Sequence, residues 1–213
     1  MMKFLKMTTV ILLTLGLYVG CAKAETGENN KPTSNPTSAS GFPLATIEME
    51  NGGIIVIELD AKQAPNTVAN FVELAQNKFY DGLSFHRVIP GFVIQGGDPA
   101  GNGMGGPGYG ITGEFSANGI ENNLLHTRGV ISMARSGQMD SGGSQFFIMV
   151  ADSTSLDGQY ASFGKVIAGM DVVDAIVSAD RDANDKPMED QRMKSVTIDM
   201  NGAILPELEK LKE

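Results

Sequence analysis

The sequence FHRVIPGFVIQGGD, at residues 85–98, gives the strongest indication of the fold. Most of it lies in a segment, residues 84–95, whose apolar and β-branched side chains are typical of β-strands. One arginine, Arg87, stands inside this otherwise apolar run. A second stretch, GGSQFFI at residues 142–148, falls in another segment with strand character that spans residues 129–150. Both stretches predict β-structure, and Arg87 is the exception that needs a functional explanation.

Three shorter runs, two before this region and one after it, alternate between apolar and polar residues. Residues 45–50 and 55–59 alternate in this way, with Asn-Gly-Gly between them at residues 51–53. Two alternating runs around a glycine-containing turn predict a β-hairpin. Residues 194–200 (KSVTIDM) alternate again and predict a last strand.

Two segments have the spacing of amphipathic helices. Residues 66–77 follow Pro65 and place their apolar side chains on one face, which predicts a short helix with Asn66 or Thr67 as its N-cap. Residues 170–178 repeat the helical pattern. Many strands with two short, widely separated helices indicate a barrel whose open ends are covered by helices.

An export signal occupies residues 1–20. Lys3 and Lys6 provide a positive start, residues 7–19 (MTTVILLTLGLYV) form a short apolar core, and Gly20 follows. A membrane-spanning helix needs about 20 apolar residues, and this run is shorter. We therefore expect an exported protein.

The single cysteine of the chain, Cys21, directly follows this signal. Residues 17–21 (LYVGC) resemble a bacterial lipobox, in which the cysteine is lipidated and becomes the first mature residue. The alternative is ordinary cleavage after Ala24, since Ala-Lys-Ala fits the small-x-small pattern and would leave an unanchored periplasmic or secreted domain. We favour a membrane-anchored lipoprotein because residues 21–41 continue as a polar tether that cannot bury enough apolar surface to fold.

The charge of the chain narrows its possible partners. The formal net charge is −9 over 213 residues. Removal of residues 1–20 takes away Lys3 and Lys6 and leaves 14 basic against 25 acidic side chains, a net charge of −11. A protein of this charge repels phosphate backbones, so nucleic acid is not an expected partner. With its one cysteine before the domain, the mature fold is expected to contain neither a disulfide nor a cysteine metal site.

Together with LDGQYASFGKV at residues 156–166, the two stretches resemble the cyclophilin family of peptidyl-prolyl cis-trans isomerases over about residues 45–200. The resemblance implies a mainly β fold, namely a closed eight-stranded antiparallel β-barrel capped by two α-helices, at residues 42–202. It also implies isomerisation without metal or organic cofactor, and a monomer. The expected partners are proline-containing peptides and exported proteins that are unfolded or folding. Residues 203–213 predict a helical piece or, as we favour, a docked or frayed C-terminus.

Proline isomerisation defines the chemistry that the site must supply. Rotation of an X-Pro bond crosses a barrier near 18–20 kcal/mol, and no covalent step is needed. An apolar pocket for the proline ring and a fixed donor near the amide are enough to favour the twisted state. Arg87 matches the family's catalytic arginine, and its charged guanidinium offers several donors in a rigid fork. By analogy with oxyanion holes, one such donor contributes about 3–4 kcal/mol.

The resemblance assigns the other site residues. Phe92 would form part of the pocket against the proline ring and act with Arg87, while Gln95 would orient the arginine through a hydrogen bond. The positions expected to bind substrate are Val93, Ala134, Arg135, Gln145, Phe147, Leu156 and Tyr160. The alternative function is a non-catalytic module or holdase chaperone that only binds proline-containing peptides.

Four positions depart from the common family pattern. Ser155 stands where many relatives carry a tryptophan that contacts cyclosporin, so we expect weak cyclosporin binding. Val93 stands where many have methionine and should widen the pocket slightly. Tyr160 replaces a frequent histidine, and Arg135 replaces a frequent asparagine and adds positive charge at the groove.

Three further features have ordinary interpretations. The glycine-rich residues 96–110 lack the Lys-Ser/Thr ending of a phosphate loop and predict a surface loop beside the substrate groove. His86 and His126 are expected to be hydrogen-bonded structural residues rather than a base or a ligand.

Overall fold

A computed structural model describes residues 41–212, which form eight β-strands and two α-helices. The signal, lipidation and tether predictions for residues 1–40 lie outside the described residues. The elements are β1 (Leu44–Met49), β2 (Ile54–Leu59), α1 (Pro65–Gln76), β3 (Arg87–Ile89), β4 (Val93–Gly96), β5 (Val130–Met133), β6 (Phe146–Met149), β7 (Ser162–Ala168), α2 (Met170–Val177) and β8 (Met193–Asp199). No helix within the described range is long and apolar enough to cross a membrane.

All eight strands join one antiparallel sheet in the order β3-β4-β6-β5-β7-β2-β1-β8. The predicted hairpin is confirmed as β1 and β2, with Ile47 opposite Ile55. The segment predicted at residues 84–95 divides into β3 and β4, and residues 129–150 contain β5 and β6. The predicted helix at residues 170–178 is confirmed as α2.

The prediction of a closed barrel is wrong, because the sheet is a curled half-barrel. Within residues 41–212 no ladder joins β3 to β8, and the isolated bridge between Ser84 and Arg192 lies outside both strands. The edge of β3 is occupied instead, since the Val88 N–H donates to the carbonyl of Asp185 at 2.8 Å. A three-residue edge strand covered by a loop leaves no free edge for β8 to pair with.

Helix α1 begins one residue before its predicted start. Pro65 is its first residue and Ala64 its N-cap, so Asn66 and Thr67 lie in the first turn rather than capping it. A carboxylate distant in sequence does the capping, because Glu114 accepts the backbone N–H of Asn66 at 3.0 Å and that of Thr67 at 2.7 Å. The Thr67 hydroxyl also donates to Glu114, at 2.6 Å. Negative charge at this end of a helix is favourable because the first N–H groups have no partner within the helix.

Two apolar clusters lie on opposite faces of the sheet at β6. Phe146 belongs to the large core, where its ring packs edge-on against Phe71, whereas its neighbour Phe147 belongs to a smaller cluster with Val93, Val130 and Met149. Successive side chains of a strand point to opposite faces, which explains this division. The smaller cluster is the base on which the candidate site is built.

The C-terminal tail docks without forming a helix. Residues 203–212 run along the surface, and Leu211 forms an isolated antiparallel bridge with Gly110. Of the two outcomes considered from sequence, docking is therefore the one observed.

Candidate active site

The strand register brings the polar and aromatic site residues into one row. Arg87 on β3 lies opposite Gln95 on β4, and Gln95 lies opposite Phe147 on β6. Phe147 in turn lies opposite Ser132 on β5. Residues that are directly opposite in antiparallel strands project to the same face, so the sheet itself determines the spacing of the arginine from the ring.

A pocket of about 270 Å³ opens along this row. Nine of the ten residues predicted for the site line it: Arg87, Phe92, Val93, Gln95, Ala134, Arg135, Phe147, Leu156 and Tyr160. The tenth, Gln145, lines an adjoining cavity and contacts the first pocket through Gln95. The site residues inferred from the sequence are thus brought together in space.

A chain of side-chain hydrogen bonds holds the arginine. Arg87 Nη1 donates to Gln95 Oε1 at 3.3 Å, and Gln95 Nε2 donates to Gln145 Oε1 at 3.0 Å. Gln145 Nε2 then donates to the carbonyls of Gly103 and Gly105, at 3.0 and 2.8 Å. In both Gln95 and Gln145 the amide oxygen accepts one hydrogen bond and the amide nitrogen donates to the next group. This pattern fixes the orientation of both amides.

The guanidinium of Arg87 keeps donors available for a ligand. The side chain is half-buried at the edge of the pocket, and no carboxylate among residues 41–212 forms an ion pair with it. A guanidinium has five N–H donors, of which one is directed at Gln95. The arrangement therefore presents a fixed positive charge beside an apolar pocket.

Aromatic and aliphatic side chains form the rest of the pocket. Phe147 is buried, and Tyr160 packs edge-on against it with ring centroids 5.7 Å apart and an interplanar angle of 83°. Val93 is buried beneath, while Phe92 and Leu156 pack around this cluster and remain partly exposed. Such a surface is suited to a small apolar ring such as that of proline.

A buried polar network supports the pocket from behind. His126 Nδ1 lies 3.0 Å from Asp157 Oδ1, and His126 Nε2 lies 3.0 Å from the Ser132 hydroxyl. The backbone N–H of His126 also donates to Asp157, at 2.7 Å. Desolvation lowers the pKa of His126, so at neutral pH the ring is neutral, donates to Asp157 and accepts from Ser132.

The network is supporting rather than nucleophilic. Its members have the types of a serine-histidine-aspartate triad, but Ser132 is fully buried and is not among the residues that line the pocket. The prediction that His126 is a hydrogen-bonded structural residue is confirmed, whereas its place behind Phe147 was not predicted. The same prediction is wrong for His86, because neither of its buried ring nitrogens has a hydrogen-bond partner within residues 41–212.

Arg135 places its charge at the pocket, as predicted, but most of its donors are engaged. Its Nε and Nη2 donate to the Gln159 carbonyl, and its Nη1 donates to that of Ser136. The guanidinium carbon lies 4.7 Å from the centroid of the Tyr160 ring and 5.2 Å from that of Phe115. These cation–π contacts hold Tyr160 in place as a pocket wall.

A second cavity of about 480 Å³ adjoins the first. Gln95, Ala134 and Arg135 line both. The outer wall of the second cavity is the glycine-rich segment 103–109, which confirms the prediction of a surface loop beside the groove. Within the described range, no group of three or more His, Cys, Asp or Glu side chains is placed to hold a metal ion.

Comparison with known proteins places this geometry in a family. The family model described as "Cyclophilin type peptidyl-prolyl cis-trans isomerase/CLD" matches residues 44–198. A peptidyl-prolyl cis-trans isomerase of Helicobacter pylori is 50% identical over 138 residues, which cover 64% of this chain and 81% of the relative. Peptidyl-prolyl cis-trans isomerase B of Bacillus subtilis is 51% identical over 123 residues, 58% of this chain and 82% of the relative.

Solved structures agree. A cyclophilin-type isomerase of Cryptosporidium parvum superposes with a TM-score of 0.68 at 33% identity, covering 74% of this chain and 98% of that one. A second structure of it, determined in the presence of the dipeptide Ala-Pro, gives a TM-score of 0.67 at 32% identity, covering 73% and 98%. Since the family model spans nearly all of the strands and helices described above, this chain belongs to the cyclophilin-type peptidyl-prolyl cis-trans isomerases.

Proposed function

We propose that the chain accelerates rotation about X-Pro bonds in exported proteins, with Arg87 as the group that stabilises the twisted amide. The observation that carries the proposal is the position of Arg87, which is held by Gln95, unpaired with any described carboxylate, and adjacent to an apolar pocket. Catalysis here needs a donor that is already in place when the amide twists, because reorganisation during the step would cost part of the gain.

The proline ring binds in the pocket of about 270 Å³, against Phe92, Phe147 and Leu156. From the rim, the guanidinium of Arg87 donates toward the prolyl nitrogen or holds the prolyl carbonyl. Either contact is stronger when the nitrogen lone pair leaves conjugation, so it lowers the barrier rather than only tightening binding. No bond to the protein forms, and the substrate leaves as the other isomer.

The residues on either side of the proline extend along the groove into the adjoining cavity. Gln95, Ala134 and Arg135 line both cavities, so a chain in the first passes directly into the second. The relative crystallised in the presence of Ala-Pro supports a proline-containing dipeptide as the minimal unit that such a groove accommodates.

The experiment compares catalysis with binding on the full chain. Exchange NMR on a peptide with a single proline measures the cis/trans rate, and calorimetric titration with the same peptide measures its affinity. The proposal predicts exchange far above the uncatalysed rate, which is on the order of once per tens of seconds. Peptide binding with exchange at the background rate would instead support the binding-only module or holdase.

Export and anchoring are a separate part of the proposal. The positive, apolar and small-residue segments of residues 1–20 support export, and Cys21 followed by a polar tether supports a lipid anchor that faces the periplasm or cell exterior. Mass measurement of the mature N-terminus should give a lipidated Cys21, and Cys21→Ala should release the protein from membranes. An unmodified start at Glu25 would instead establish a soluble exported form.

A further inference from the structure

The outer wall of the second cavity is built from residues that provide little packing of their own. The segment 103–110 contains five glycines, and Gly103 and Gly108 have φ values of +86° and +82°. Glycine loses more conformational freedom on ordering than any other residue. The segment therefore depends on contacts with the rest of the protein to keep the cavity open.

The first half of the wall is anchored from within the domain. The Asp98 carboxylate accepts the backbone N–H groups of Ala100, Asn102 and Gly103. Gln145 donates to the carbonyls of Gly103 and Gly105, as described above. These contacts reach only as far as Gly105. Residues 106–110, the second half of the wall, are held by other contacts.

The second half of the wall is anchored both by the C-terminal tail and by helix α1. Gly110 and Leu211 exchange two backbone hydrogen bonds, 2.8 Å for Leu211 N to Gly110 O and 3.3 Å for the reverse. Lys210 Nζ lies 4.6 Å from the centroid of the Tyr109 ring. The Tyr109 hydroxyl donates to Asn70 Oδ1 on α1, at 2.9 Å.

Helix α1 holds the tail in this position. Asn66 Oδ1 accepts the Glu209 N–H at 2.8 Å, and Asn66 Nδ2 donates to the Glu209 carbonyl at 3.0 Å. Lys210 Nζ also pairs with Glu73 Oε1 at 2.7 Å. The side chains of Leu205 and Leu208 pack against the main core. Four successive tail positions, residues 208–211, thus make specific contacts.

We propose that residues 203–212 act as a strap that holds the segment 103–110 in place and so belong to the substrate-binding apparatus. The tail lies beyond residues 44–198, the part matched by the family model. The inference rests on the proposed function, because it assigns the second cavity to peptide residues that flank the proline. The strap should therefore strengthen the binding of long peptides, and it should not affect the binding of a minimal Xaa-Pro unit.

The test uses truncation of residues 204–213, with Leu211→Pro and Lys210→Met as milder variants. Leu211→Pro removes the N–H that Gly110 accepts. Lys212→Met is the matched control, because Lys212 is an exposed cation on the same tail for which no ion pair is found within residues 41–212. The affinities of an eight-residue peptide with a central proline and of blocked Ala-Pro are measured by calorimetry, alongside thermal melts.

The strap predicts that the long peptide binds about fivefold more weakly to the truncated chain and to Leu211→Pro, because the wall is no longer preorganised. Ala-Pro affinity and the Lys212→Met control should stay within about twofold of wild type. An equal loss of affinity for both peptides, or no change in affinity for either, would overturn the proposal that the tail holds the segment 103–110 in place. Because affinity is measured directly, a wild-type chain that binds peptide without isomerising it would contradict the proposed function and still test the strap.

Discussion

The imidazole of His126 lies nearly parallel to the ring of Phe147, with an interplanar angle of 21° and centroids 6.0 Å apart. Its ring nitrogens contact Asp157 on one side and Ser132 on the other. Asp157 directly follows Leu156, a pocket residue, and Ser132 lies on β5. One buried histidine thus connects three parts of the chain that build the pocket next to Arg87.

His126→Leu should therefore reduce both activity and stability. It removes two hydrogen bonds and leaves the Ser132 hydroxyl and the Asp157 carboxylate without this partner, at a cost of about 2–3 kcal/mol in the free energy of unfolding. We expect kcat/KM to fall about tenfold as Phe147 and Leu156 lose their support. Urea unfolding and an isomerase assay measure the two effects.

A double-mutant cycle with Asp157→Asn provides the control for this prediction. Since the two residues act through one contact, the combined loss should be clearly smaller than the sum of the single losses. Additive losses would show that His126 does not support the pocket through Asp157.

Gln95→Leu should lower kcat more than it weakens peptide binding. The substitution keeps a side chain of similar size but removes the amide, which is the acceptor for Arg87 Nη1 and the donor to Gln145. Without this hydrogen bond the guanidinium samples more orientations, and fixing it in the transition state costs more entropy. We therefore expect kcat to fall about tenfold. Gln138→Ala, at an exposed glutamine that lines neither cavity, should leave kcat unchanged. A KM effect alone would contradict the orienting role.

Stability should fall as the pH drops below about 6.5. Burial lowers the pKa values of His86 and His126, so both bind protons at lower pH in the folded protein than in the unfolded chain, whose histidines have an ordinary pKa of about 6.5. The unfolded state then holds more protons, which makes the free energy of unfolding decrease with falling pH. Urea unfolding at pH 7.5, 6.5 and 5.5 measures the trend.

The carboxylate of Asp98 affects the free energy of unfolding at lower pH than the histidines do. Desolvation raises the pKa of Asp98, but the backbone N–H donors of Ala100, Gly103 and Asn102 together outweigh it, so the pKa lies below its ordinary value. The contribution of Asp98 to the free energy of unfolding is present above the ordinary aspartate pKa of about 3.9 and disappears as the pH falls through the lower folded value.

The histidine explanation has its own control. His86→Phe should make the free energy of unfolding depend less on pH between pH 7.5 and 5.5. A flat or opposite trend there in the wild type would contradict the histidine explanation.

Ser155→Trp should strengthen inhibition by cyclosporin. Ser155 is exposed in the short 3-10 helix Thr154–Leu156, directly before the pocket residue Leu156. The resemblance places a drug-contacting tryptophan at this position in many relatives, and a large aromatic contact is worth about tenfold or more in affinity. Inhibition of isomerase activity measures it, with Thr154→Trp as the neighbouring control. Tight binding of cyclosporin by the wild type would refute the prediction.

The sequence was most informative where local pattern and motif agreed. Alternation placed β1, β2 and β8 correctly, and FHRVIPGFVIQGGD with GGSQFFI was enough to place Arg87, Gln95 and Phe147 on one pocket. These features depend on short-range periodicity or on a long ordered motif, both of which can be read along the chain.

Long-range contacts were the part that the sequence could not reveal. The Glu114 cap joins residues 47 and 48 positions apart, and the tail contacts α1 across 143 positions. Closure of the barrel was predicted wrongly because nothing in the sequence indicated that Asp185 would occupy the edge of β3. The contact of His126 with Asp157, 31 positions away, has no characteristic sequence spacing either.

Stabilisation of the twisted amide by Arg87 can be measured by exchange NMR on the folded Arg87→Ala chain. Arg181→Ala, at an exposed arginine paired with Asp185, is the control. We expect Arg87→Ala to lower kcat/KM about 100-fold, or about 3 kcal/mol, with an unchanged melting temperature and nearly unchanged peptide affinity. Wild-type exchange rates in folded Arg87→Ala would contradict this role of Arg87.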